Sequence, residues 1–108
     1  MVARIDKVVQ LVRAMAGTVL GPGPQAVVLN AGGSVILAGT ANAQGVTCPG
    51  GTISAGYPIG ILIRGEITDF GGTAGTKYYS QGGGTIGTAA QTSLVGFTVE
   101  GGRLVVNM

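Results

Sequence analysis

Ile59-Gly-Ile-Leu-Ile-Arg-Gly-Glu-Ile67 is the densest run of β-branched and apolar residues in the chain. Side chains alternate along a strand with period two, so Ile59, Ile61 and Ile63 share one face. Gly60, Leu62, Arg64 and Glu66 take the other. A strand this apolar, with glycine where a neighbouring backbone comes close, reads as the buried centre of a sheet. The predicted core gathers around Ile59, Ile61, Ile63, Val95 and Phe97.

Short β segments punctuated by turns lie on both sides of this strand. Ala26 to Leu29 and Ser34 to Ala38 flank the turn Asn30-Ala-Gly-Gly33. Gly39 to Gly51 reads as a loop of small residues. Thr52 to Pro58 leads into the central strand, and Asp69-Phe-Gly-Gly72 ends it. Thr76 to Ser80 is the next strand, with one tyrosine expected in the core and the other at the rim. Gly82-Gly-Gly84 turns into Thr85-Ile86. Ser93 to Glu100 and Arg103 to Asn107 form a last hairpin across Gly101-Gly102. Turns every 8–12 residues predict a mainly β domain, a small β-barrel or β-sandwich, over residues 25–108. Gly33-Ser-Val is echoed by Gly84-Thr-Ile, and Ser54-Ala-Gly56 by Thr73-Ala-Gly75; each is a turn leading into a strand.

Residues 1–24 read as an N-terminal arm and linker. Ile5, Val8, Val9, Val12, Met15 and Ala16 recur at helical spacing, with Arg4, Lys7, Gln10 and Arg13 mostly on the other side, which predicts a short helix over residues 2–16. The β-branched residues lower helix propensity, so a strand is the alternative. Gly21-Pro-Gly-Pro24 permits neither helix nor ladder and separates the arm from the β body. Ala14-Met15-Ala16 mimics a leader-cleavage site, but Gln10 and Arg13 interrupt the apolar core a secretory leader needs, so none is expected.

Composition limits the functional classes. The chain has 22 glycines among 108 residues, and only 9% of residues are charged although 45% are apolar. If half of the glycines lay in strands the cost would be about 5–10 kcal/mol, comparable to the whole stability of a small domain. Glycines must therefore sit mostly in turns, or partner chains must supply burial. The net charge of +2 resides entirely in the first thirteen residues, and no charge occurs between Arg13 and Arg64. Two net charges are a poor basis for nucleic acid binding. No apolar run is long enough to span a membrane as a helix.

Catalytic chemistry is not expected. There is no histidine. Glu66 and Asp69 are three residues apart on a strand and point apart. Cys48 stands alone, without a base, and one cysteine with four scattered acids offers no metal site. Gly82-Gly-Gly84-Thr-Ile-Gly87 matches the dinucleotide fingerprint in letters, but no helix follows it, so it reads as a hairpin turn. No cofactor, metal or small-molecule substrate is predicted.

The order of elements from residue 33 to residue 107 has a family resemblance. A small-residue turn ends at Ala55-Gly56, followed by Pro58-Ile-Gly-Ile-Leu-Ile-Arg-Gly-Glu-Ile67. Then come Thr73-Ala-Gly75, Lys77-Tyr-Tyr-Ser80, a glycine turn with Thr85-Ile86, Leu94-Val-Gly-Phe97 and Leu104-Val-Val106. This pattern resembles small β-rich structural proteins of tailed bacteriophages, especially the head decoration (cement) proteins. The resemblance implies a non-enzymatic protein of the virion surface, made in the host cytoplasm. Such a protein is often trimeric, binds the major capsid protein and clips over joints between capsid subunits. A tail-fibre or tail-tip module that binds a host receptor is the alternative. The arm lies outside the pattern. Its apolar stripe and its charge make Arg4, Ile5, Lys7, Val8, Val9, Val12, Arg13 and Met15 the predicted interface.

Overall fold

The computed structural model describes residues 3–108. Among them, nine strands form one antiparallel sheet that curls into a half-barrel. In chain order they are β1 (Arg4–Met15), β2 (Gln25–Leu29), β3 (Val35–Leu37), β4 (Gly45–Thr47), β5 (Pro58–Thr68), β6 (Lys77–Gly82), β7 (Thr85–Gly87), β8 (Leu94–Val99) and β9 (Arg103–Asn107). The single helical element described is the 3-10 turn Glu100–Gly102 between β8 and β9.

The expected central strand is β5, and it is central in an unusual way. Along one edge it pairs with β1 over almost its whole length. The other edge is shared: Val46 of β4 pairs with Leu62, while Arg64 to Ile67 pair with β9. The sheet therefore forks at β5, one wing running β4-β2-β3 and the other β9-β8-β6-β7. The wings meet again where the turn before β7 touches β2 and β3. Ala26 N donates to the Gly84 carbonyl at 2.9 Å and Gly84 N to that of Ala38 at 3.1 Å. The buried Ser80 hydroxyl donates to the Gly39 carbonyl at 2.6 Å.

The N-terminal helix is not formed. Arg4–Met15 is a twelve-residue strand hydrogen-bonded to β5. Two physical reasons favour it. Ile5, Val8, Val9 and Val12 are stiff at χ1 and suit a pleated surface. In addition, β5 offers a full-length unpaired edge, and pairing satisfies backbone groups on both strands. β1 is bulged at Asp6 and at Val9, where it carries an extra residue relative to β5. Each bulge resets the alternation of faces, which places the apolar residues at the three- and four-residue intervals of a helix.

Burial divides into two clusters. The main core lies inside the curl and contains Ala26, Val46, Leu62, Ile67, Val95, Leu104 and Val106, with Ile5, Leu11, Phe70 and Tyr78 packed against it. Phe70 and Tyr78 meet edge to face, their ring centroids 4.9 Å apart. A second cluster, on the opposite face of β2 and β5, holds Ala16, Leu20, Val27, Val35, Ile59 and Ile61. It is roofed by the chain following β1, where Leu20 and Ile53 exchange backbone hydrogen bonds of 2.9 and 2.8 Å. The predicted core thus needs correction. Ile59 and Ile61 are buried, but in the second cluster. Leu62, expected on the opposite face, belongs to the main core. Ile63 is half-buried and Phe97 is 42% exposed, because β8 turns Val95 and Thr98 inward.

Close approach of backbones occurs at Gly65 rather than at Gly60. Gly65 has φ +152°, and a Cβ there would overlap the Lys7 carbonyl oxygen. The missing side chain lets β1 lie tightly on β5 next to the Val9 bulge.

Candidate interaction surface

All eight predicted interface residues lie on β1, the outermost strand beside β5. Among the described residues no strand pairs with its other edge. The eight do not share a face. Ile5 packs against the main core, and Arg4 forms a 3.5 Å ion pair with Asp69. Lys7 and Arg13 are exposed. Val8, Val9 and Met15 are at least half exposed, and Val12 only slightly less. Val12 also lines a groove of about 190 Å³ with Leu29, Ile61 and Ile63.

Strand register brings together a set that the chain order hides. Lys7 pairs with Glu66, Glu66 with Val105, Val105 with Phe97, and Phe97 with Lys77. Directly opposed residues share a face of the sheet. These five side chains therefore form one row across β1, β5, β9, β8 and β6 on the outside of the curl. Gln10, Arg64 and Asn107 make a second, parallel row. Between the rows lies a groove of about 310 Å³ whose lining includes Lys7, Val9, Arg64, Glu66, Phe97 and Val105.

Cations outnumber carboxylates on this face, which holds Glu66 in the row and exposed Asp6 next to Lys7. Arg103 binds both nearby carboxylates, Glu66 through one terminal nitrogen and Glu100 through the other, each at 2.5 Å. Its guanidinium holds Glu100 below the usual carboxylate range, first through that hydrogen bond. Among the described residues, Arg4 is paired with Asp69, while Lys7, Arg13, Arg64 and Lys77 have no carboxylate partner.

Other polar groups are structural. Cys48 is buried, and its thiol donates to the Ala3 carbonyl at 3.3 Å. Burial pushes its pKa up to about 11, the opposite of what a nucleophilic thiol requires. No three Cys, Asp or Glu side chains converge among the described residues. Gly82–Gly84 is the β6–β7 hairpin turn, with all three glycines at positive φ. Arg64, Lys77, Phe97 and Val105 were not among the predicted interface residues. Hydrophobicity alone places Phe97 in the core, and only the registers of β8 and β9 reveal the row.

No protein-family model matches the chain, and no curated protein matches it.

Proposed function

We propose that this protein is a virion structural protein that decorates and stabilises a bacteriophage capsid through non-covalent contacts across capsid subunits. In this reading it binds the major capsid protein on the capsid surface and assembles as a homotrimer. The observation that carries the reading is β1, a twelve-residue strand with an unpaired edge and exposed Val8, Val9, Val12 and Met15. A long, apolar edge strand invites pairing or aggregation unless something covers it. A protein that adds contacts to an assembled shell covers such a strand and shifts the assembly equilibrium by mass action. The resemblance of residues 33 to 107 to head decoration proteins supports the same reading. Receptor binding by a tail-fibre or tail-tip module draws on one specific feature, Tyr57, which is 64% exposed on the loop entering β5.

Sedimentation of the purified protein, alone and with empty tailed-phage capsids that lack a decoration protein, tests the proposal. A trimer that pellets with the capsids is expected. Val9→Glu and Met15→Glu, both at exposed sites, should reduce pelleting without altering the fold. A concentration-independent monomer that ignores capsids overturns the proposal.

A further inference from the structure

We infer that the outer face of β1, β5, β9, β8 and β6 docks an extended, acidic polypeptide segment with an apolar residue at its middle. The row Lys7–Glu66–Val105–Phe97–Lys77 spans five strands, about 19 Å at a spacing of about 4.8 Å per strand. It has a cation at each end, and between them Glu66, which Arg103 holds, followed by the apolar pair Val105 and Phe97. Exposed Val9 widens the apolar centre, and Arg64 adds a third cation beside the groove. Arg103 binds Glu66 and Glu100 at once, and its single charge offsets one of them. With exposed Asp6 next to Lys7 on β1, the cations Lys7, Arg64 and Lys77, which form no ion pair among the described residues, still outnumber the carboxylates left over.

An extended chain rises about 3.3 Å per residue, so acids about six residues apart would reach Lys7 and Lys77 together. The apolar residue between them would lie over Phe97 and Val105. A single-stranded nucleic acid fits less well. Affinity for phosphate grows with the number of cations engaged, and this face has three; its centre is mainly aliphatic rather than a stack of rings. A second copy of the chain fits less well too, since it would bring the same surplus of cations to the interface. As the capsid-binding surface of a decoration protein, this face rests on the reading above; as a peptide-binding surface it does not.

The test is fluorescence anisotropy with a labelled eight-residue peptide that carries two glutamates at each end and four apolar residues between. A lysine-ended peptide and an oligothymidylate of similar length serve as competing probes. The acidic peptide should bind, and Lys7→Glu combined with Lys77→Glu should weaken it at least about tenfold. Phe97→Ala should weaken it several-fold, with circular dichroism reporting an unchanged fold in each variant. Failure of the acidic peptide to bind, tighter binding of either competing probe, or indifference to these substitutions overturns the inference. Capsid pelleting of the same variants separates the two claims. Peptide binding without capsid binding leaves the surface standing and removes the decoration reading. Capsid binding that survives the charge reversals, with no peptide binding, does the reverse.

Discussion

Replacing Leu62 by alanine tests the placement of the core. Leu62 is fully buried at the middle of β5, paired with Leu11 on one side and Val46 on the other. The substitution removes three buried carbons, which withdraws about 2.4 kcal/mol of transfer free energy at about 0.8 kcal/mol per carbon. A rigid, hydrogen-bonded sheet collapses poorly around the gap, so the cavity raises the loss to about 3–4 kcal/mol. For a domain of this size that lowers Tm by roughly 10–20 °C. Phe97→Ala is the paired control. Phe97 is the larger side chain, yet it lies on the outer face and its loss should change stability by no more than about 0.5–1 kcal/mol. Urea denaturation followed by circular dichroism measures both, with the slope checked for constancy. If Phe97→Ala costs as much as Leu62→Ala, the direction of curl deduced for β8 and β5 is wrong.

Two buried hydroxyls predict opposite outcomes for the same chemical change. The Thr98 hydroxyl donates to the Thr73 carbonyl at 2.5 Å, so Thr98→Val should cost about 1–3 kcal/mol in denaturant melts. The Thr47 hydroxyl is buried without a partner, so Thr47→Val should leave stability unchanged or raise it slightly; a clear loss there would reveal a bond to the hydroxyl. Cys48 should resist a thiol reagent at pH 8 until denaturant is added. Because its folded pKa is raised to about 11, its contribution to stability is complete below the ordinary thiol pKa and is lost as pH rises from there through about 11. The wild-type denaturation midpoint should therefore fall towards pH 11 more steeply than that of Cys48→Ala.

Most strands were legible because each is a short apolar run between glycine turns. The echoed glycines, Gly33 with Gly84 and Gly56 with Gly75, all adopt positive φ just before a strand or the turn that leads into one. Three features were not legible, each for a separate reason. β4 has only three residues within a stretch of small ones, and Val46 alone marks it. Leu20 sits in a linker by composition, yet it is completely buried because Ile53, far along the chain, pairs with it. β1 imitates a helix because the bulges at Asp6 and Val9 break strict alternation. The candidate surface was half legible. Lys7 and Val9 stood out on the arm, whereas Arg64, Val105, Phe97 and Lys77 join them only through pairings between strands far apart in sequence.

The fork at β5 also dictates when the molecule can come into being. β1 fills one edge of β5 and β9 part of the other, so the edge of β5 from Arg64 to Ile67 stays open until residues near Asn107 are available. On the ribosome, β1 emerges some fifty residues before the strand it pairs with. It must wait as an open apolar segment through the synthesis of β2, β3 and β4. β5 must then wait in turn for β9. Such non-local pairing makes folding slow, and it makes every shorter nascent chain incomplete at its centre. The native sheet is therefore complete only once β9 has been made, whatever the earlier strands have done.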